Sequence, residues 1–482
     1  MAIQKAITKY GAVVGVDMQD YSVFRAIPFA KPPVGELRFA PPEEPIPWIG
    51  ERECSSFADA PLQYSRAASP KGAPSRHWMM PEPPVPATSE DCLYLNVWTP
   101  AKSEQEKLPV MVWIHGGGFN QSWSFKPIYD GSELCKKGVV VVTVAQRVSA
   151  MGYLTHKRLA GQNGCGPCGN WGLLDQNMAL RWVQENINAF GGDSSRITIF
   201  GQSSGGMSVK FHLVSPLSRS LFSRAIVHSG GGLNAGDPMR TWQELASITE
   251  KAMEHLGWDF DDLMTLDGEL VNQSICETAG KIMEKELFIY QPCMDGYFFP
   301  EMPEKLLYDG RISEADIICG TVNGDSWMFS RGVRDQLLSN QEALRAFSFS
   351  PQEAWARHFQ RQGLPPIRSY FFERNQQGHG SPHSSELPYV FKTLDKRGYE
   401  YDEYDIELSE IMSSYWINFA KTGDPNGEGL PLWPYNTAEA PLSIHFTDSA
   451  VQTSRLCNDE EAERVIEYTI RHPGFLETLA DF

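Results

Sequence analysis

A short apolar run, Ile197–Phe200, leads straight into Gly201-Gln202-Ser203-Ser204-Gly205-Gly206, and a helical pattern from Ser203 to Leu213 follows. A strand, a tight turn and a helix around a G-x-S-x-G segment restrict the chain to a small set of folds. The flanking glycines free the backbone for a strained turn that bulkier residues would obstruct, and such a turn lifts the Ser203 hydroxyl to the carboxyl edge of a sheet. The helix start behind it favours developing negative charge. Taken alone, the segment also matches an ordinary glycine-rich turn, so its surroundings decide.

Those surroundings alternate strand and helix. Leu108–Ile114 and Val139–Val144 are short apolar runs of buried-strand type, and residues 171–190 carry Leu174, Met178, Trp182, Val183 and Ile187 at helical spacing. Arg224–Val227, Asp316–Ile318 and Ile367–Phe372 read as further strands, separated by helical excursions at about residues 240–310 and 333–362. Strands alternating with helices predict an α/β architecture with a mostly parallel sheet covered on both faces. No repeat, low-complexity tract or linker divides the chain, so residues 1–482 read as a single domain with insertions. The Pro-rich stretch near residues 70–86 reads as a long surface loop.

Composition narrows the function. With 41% hydrophobic residues, 13 Trp, 17 Tyr and 25 Phe, the chain can bury a large core and is not disordered. Its 42 basic and 60 acidic residues give a net charge of −18, the opposite of what a nucleic-acid binder needs. No run of 18 apolar residues offers a membrane span. The N-terminus has no apolar signal region and reads at once as strand. Nine cysteines, an odd number without a framework pattern, suit a reducing compartment, and a cytoplasmic location is expected.

Upstream, again directly after a strand, stands His115-Gly116-Gly117-Gly118-Phe119. Consecutive glycines leave backbone N–H groups unobstructed, able to point at an oxyanion, and the N–H of Ser204 would complete the hole. No Lys-Ser or Lys-Thr follows, which argues against a phosphate loop. A serine hydroxyl needs a base and an orienting acid. In α/β-hydrolases these follow the serine along the chain, on loops after later strands. Asp325 lies past the strand at 316–318, and His379 and His383 lie past the strand at 367–372. Spacing alone does not separate the two histidines.

Several long, ordered motifs make the chain resemble the type B carboxylesterases, the family that includes cholinesterases and bacterial p-nitrobenzyl-type esterases. They are Phe24–Gly35 (FRAIPFAKPPVG), Ser89–Asn96 (SEDCLYLN), Gly169–Gln176 (GNWGLLDQ), Phe190–Asp193 (FGGD) and Asn418–Asn426 (NFAKTGDPN), with Trp433-Pro434 near the C-terminus. The resemblance implies an α/β-hydrolase fold whose helical insertions cap an active-site gorge. It implies hydrolysis of small-molecule carboxylic esters through an acyl-enzyme, without metal or organic cofactor. It favours His383 over His379, because His383-Ser384-Ser385-Glu386-Leu387-Pro388-Tyr389-Val390-Phe391 matches the family's pattern around its histidine. It puts Asp325 in the place of a catalytic Glu, and gives Ser203, Asp325 and His383 as the triad with Gly117, Gly118 and Ser204 as the oxyanion hole. It further implies ion pairs Arg38–Glu90 and Arg147–Asp175, and a supporting role for Ser229.

The chain also departs from the family. Gln202 stands for the usual Glu and Ser204 for the usual Ala, so the polar network of the turn must differ. Asp325 is one methylene shorter than Glu, so its loop must sit closer to His383. Cys92 keeps the family position, but its upstream disulfide partner is missing at Ala60-Pro61-Leu62-Gln63. Residues 326–382 are short against many relatives, which implies a reduced lid. Phe119, Trp123, Trp327 and Phe329 lie near the catalytic segments as candidate pocket walls. Cys165-Gly166-Pro167-Cys168 has no second C-x-x-C, so a free-thiol loop is expected there and no metal. Two alternatives stand beside this: a non-catalytic interaction module, which would be expected to lose a triad member whereas this chain keeps all three, and an acyltransferase or amide or carbamate hydrolase using the same site. The substrate and the oligomeric state leave no signal in the sequence.

Overall fold

A computed structural model describes the chain except for residues 65–82, 161–168, 234–238, 285–288, 329–340, 376–377, 379, 398–399, 457–459 and 472–482. Most of the Pro-rich stretch, the Cys165–Cys168 segment, His379 and Phe329 therefore lie outside the described residues, as does the side chain of Trp327.

Eleven strands form one sheet. In chain order they are β1 (Val16–Asp17), β2 (Ser22–Pro28), β3 (Tyr94–Thr99), β4 (Leu108–Ile114), β5 (Val140–Val144), β6 (Gly192–Gln202), β7 (Arg224–His228), β8 (Asp316–Val322), β9 (Arg368–Phe372), β10 (Ser443–Phe446) and β11 (Val451–Ser454). Their spatial order is β11-β10-β9-β8-β7-β6-β4-β5-β3-β2-β1. From β5 across to β10 all neighbours are parallel, and the outer strands at both ends are antiparallel. The mostly parallel sheet is the one that the alternation of apolar runs predicted, and its arrangement is the α/β-hydrolase fold that the resemblance implied.

The apolar runs become strands because both faces of the sheet are buried. Every residue of β5 is buried, and β4 is buried from Pro109 to Ile114. The two-residue period of β4 sends Val110, Val112 and Ile114 into one core and Met111 and Trp113 into the other. Helices Trp171–Asn186, Ser204–Val214 and Glu403–Thr422 cover the sheet. The excursion at 240–310 contains helices Trp242–Leu256, Phe260–Thr265, Gly268–Ile282 and Pro303–Tyr308. Helix Gln341–Arg361 falls in the second excursion and carries Pro351 inside it.

Two bidentate ion pairs tie the loops around this sheet. Arg38 meets Glu90 at 2.7 Å and 2.6 Å, and its remaining nitrogen donates to the carbonyls of Leu263 and Leu266 at 2.9 Å and 2.8 Å. One arginine thus holds the N-terminal segment to the first helical excursion. Arg147 meets Asp175 at 2.9 Å and 2.7 Å, with both side chains buried, and its backbone N–H also donates to the carboxylate at 2.9 Å. Removing one member of such a pair strands the other charge in the interior. Asp175→Ala is expected to cost about 3–5 kcal/mol of stability, read from urea unfolding at neutral pH. Among the described residues no helix is long and apolar enough to cross a membrane.

Candidate active site

The carboxyl ends of the parallel strands lie together, and each candidate residue follows one of them: the Gly-rich loop after β4, Ser203 after β6, Ser229 after β7, Asp325 after β8 and His383 after β9. Crevices outside the carboxyl ends of strands are where open α/β sheets place their ligands.

Ser203 has φ 59° and ψ −127°, a strained conformation for a residue with a Cβ. The surroundings hold it there. Its N–H donates to the His228 carbonyl at 2.9 Å, and its own carbonyl accepts from Met207 N at 2.9 Å. The helix behind it begins at Ser204, one residue later than the sequence suggested, because Ser203 itself takes the turn. Gly205 makes this geometry possible: a Cβ there would lie 2.2 Å from the Ile114 carbonyl oxygen.

Opposite the serine, Gly117 and Gly118 have φ of 110° and 65°, in the left-handed region that glycine tolerates. Their carbonyls are taken up locally, Gly117 O by Asn120 N and Gln121 N at 3.2 Å each, and Gly118 O by Asn120 Nδ2 at 2.7 Å. Among the described residues, the N–H groups of Gly117, Gly118 and Ser204 have no acceptor in the protein. Ser204 does more than offer its N–H. Its hydroxyl accepts the Phe119 N–H at 3.2 Å and pins the Gly-rich loop to the turn.

The buried pair His383 and Asp325 meets through Nδ1 and Oδ1 at 2.6 Å. The short aspartate reaches because its loop docks directly on the histidine loop: Gly324 N donates to the Ser381 carbonyl at 2.9 Å, and a Cβ on Gly324 would lie 2.4 Å from that oxygen. The other carboxylate oxygen accepts from the Thr321 hydroxyl and from Val322 N at 3.2 Å. Burial pushes the Asp325 pKa up, but the adjacent His383, with the Ser229 and Thr321 hydroxyls, outweighs it and holds the carboxyl below its ordinary value. Ser229 stands near that carboxylate, although among the described residues its hydroxyl completes no hydrogen bond of normal geometry.

Sequence reasoning missed two contacts here. Gln202, nearly fully buried, places its amide nitrogen 3.0 Å from His383 Nε2. Beside it on β7, in register with Gln202, His228 bonds Tyr370 OH at 3.1 Å and Trp416 Nε1 at 3.0 Å, and lies 3.4 Å from Glu386. The departure from Glu at position 202 was the available signal for the first; His228 carried none. Ser203 Oγ forms no hydrogen bond among the described residues, and such bonds commonly tighten only when substrate binds. Of the candidate pocket walls, Phe119 is buried, with Tyr153 and Phe211 rings 5.4 Å and 6.3 Å away. Trp123 is also buried, beneath the Lys126 ammonium at 4.9 Å. Among the described residues no group of three metal-binding side chains gathers, and Cys92 is a free buried thiol.

A parallel sheet with a strained serine between its central strand and the following helix defines an α/β-hydrolase. The family model for the "Carboxylesterase family" matches residues 4–362 and 342–464. The para-nitrobenzyl esterase of Bacillus subtilis (strain 168) is 32% identical over 96% of this chain and 98% of its own. The acylcarnitine hydrolase of Mus musculus is 34% identical over 85% of this chain and 81% of its own, and the cocaine esterase of Homo sapiens 34% over 90% and 85%. A solved structure of PNB esterase superposes with a TM-score of 0.81 at 30% identity, covering 96% of this chain and 99% of that one. The chain belongs to the carboxylesterase family and is a serine hydrolase of carboxylic esters.

Proposed function

We propose that Ser203, His383 and Asp325 carry the ester hydrolysis. The observation that supports this most is the 2.6 Å bond between His383 Nδ1 and Asp325 Oδ1, buried at the same sheet edge as the strained serine. Because Nδ1–H donates to the carboxylate, Nε2 carries the lone pair and is the base. Ser203 Oγ attacks the ester carbonyl as His383 Nε2 takes its proton. The N–H groups of Gly117, Gly118 and Ser204 hold the oxyanion. The imidazolium returns the proton to the departing alcohol, leaving the acyl group on Ser203. Water, losing a proton to the same Nε2, then attacks the acyl group, and the imidazolium passes that proton to Ser203 Oγ as the carboxylic acid leaves. Asp325 stays ionised throughout, in keeping with its lowered pKa.

The substrates are small-molecule carboxylic esters. The names of the relatives span acylcarnitine, cocaine and para-nitrobenzyl esters, and this variety favours a pocket defined by the ester group more than by one alcohol. We place the reaction in a reducing, cytoplasmic setting, which the buried thiols of Cys54, Cys92, Cys135, Cys276 and Cys319, free among the described residues, support. Hydrolysis of p-nitrophenyl acetate, butyrate and octanoate tests the activity: turnover of at least one is expected, and no turnover of any by folded protein would overturn the reading.

The oxyanion assignment has its own test. At Gly117 a Cβ would lie 1.9 Å from the Gln121 carbonyl oxygen, at a φ that only glycine takes readily. Gly117→Ala therefore displaces the loop. The expected result is a fall in kcat of about 10²–10³ with a smaller change in KM, measured by steady-state kinetics on the same esters.

A further inference from the structure

The Gln202 amide nitrogen lies 3.0 Å from His383 Nε2 and 3.4 Å from Nδ1. An N–H aimed along the in-plane lone pair of Nε2 would be much farther from Nδ1. Near-equal distances to the two nitrogens instead put the amide over the face of the ring. The amide therefore does not lie along the in-plane Nε2 lone pair; a neutral amide covers the imidazole face instead.

We propose that Gln202 is a positioning residue that keeps His383 weakly basic and extends the activity of this enzyme toward lower pH. The inference rests on the reading of His383 as the base. A neutral amide presenting N–H to the ring face gives no stabilisation to the imidazolium, and the positive end of its dipole opposes it. A carboxylate of the same length in the same place would favour the charged ring.

The other groups around the imidazole set the background. Asp325 bonds Nδ1 and favours the charged form. Glu386, three residues along the histidine loop, is fully buried, has no hydrogen bond on either oxygen among the described residues, and has His228 at 3.4 Å. His228 leaves the sheet from β7 in register with Gln202 and is bonded by Tyr370 from β9. His115, on the loop after β4, has its pKa pushed down to about 4 by burial and stays neutral. A carboxylate at position 202 would thus be a third beside those of Asp325 and Glu386, and neutrality at that position avoids the repulsion.

The test is the pH dependence of kcat/KM for p-nitrophenyl butyrate. The protonated base is inactive, so a raised imidazole pKa moves the acid limb to higher pH. The expected order of acid limbs is wild type lowest, then Gln202→Met, which loses the N–H but adds no charge, then Gln202→Glu, displaced upward by about one pH unit or more. Gln202→Glu thereby loses activity on the acid side and recovers it as pH rises. Q202E in an E386Q background holds as many buried carboxylates as the wild type, and compared with E386Q alone it shows the same upward displacement if Q202E alone does not fold. Should neither carboxylate variant fold, the step from wild type to Q202M decides. A limb that does not move while kcat falls equally at every pH would reduce Gln202 to packing and overturn the proposal. Turnover surviving in His383→Ala would instead overturn the assignment of the base.

Discussion

Ser203→Ala is expected to lower kcat on p-nitrophenyl butyrate by about 10⁴–10⁶ and to leave the fold in place. The size follows from what is removed: without Oγ no acyl-enzyme forms, and only oxyanion binding and substrate positioning remain. The fold survives because Ala keeps the N–H that donates to His228 O at 2.9 Å and is no more strained at φ 59° than Ser. His383→Ala is expected to have an effect of similar size, since an unassisted serine hydroxyl is a weak nucleophile. The two losses do not add, because the residues act as one unit, and the double variant is about as slow as either single one. Steady-state rates and thermal unfolding of the three variants check this directly.

Asp325→Asn is expected to lower kcat by about 10⁴. The structure gives the reason. One carboxylate oxygen is held by the Thr321 hydroxyl and Val322 N–H, both donors. Asn has a single oxygen, and those donors keep it on their side, so its NH₂ group turns toward His383 Nδ1. That nitrogen must then accept, the proton moves to Nε2, and the base faces Ser203 in the wrong tautomer. Because the Asp325 pKa is lowered in the folded protein, the ionised carboxylate stabilises the fold above the ordinary carboxylate range, and that contribution fades as pH falls through its folded value. Asp325→Asn lacks this term, so its stability drops less on acidification across that range. Parallel pH titrations of unfolding for the two proteins measure the difference.

Elements defined by an apolar period were readable from the chain. β4 runs from Leu108 to Ile114 as the sequence indicated, because its residues from Pro109 onward are all buried. β6 was read as Ile197–Phe200 but extends over Gly192–Gln202. Its polar first half carries no hydrophobic signal, and it joins the sheet through Gly192 pairing with Leu108 before the register shifts. The strained turn and the glycine loop were legible because their backbone conformations demand particular residue types, while the acid and histidine were proposed from their order after the serine. The choice of His383 over His379 needed the family pattern. Contacts between distant residues were not legible, since nothing in local pattern joins Gln202 to His383 or Arg38 to the Leu263 and Leu266 carbonyls. Ser204 shows the same limit: its hydroxyl bonds to Phe119 N, 85 residues away in the chain.

The central claim is that Ser203 becomes acylated. Quenching the enzyme in acid during turnover of p-nitrophenyl butyrate, followed by intact-mass analysis and peptide mapping, reads this directly. The account predicts one butyryl group per chain, on the peptide containing Ser203, and none in Ser203→Ala. A butyryl group on another residue, or undiminished turnover by Ser203→Ala, would contradict it.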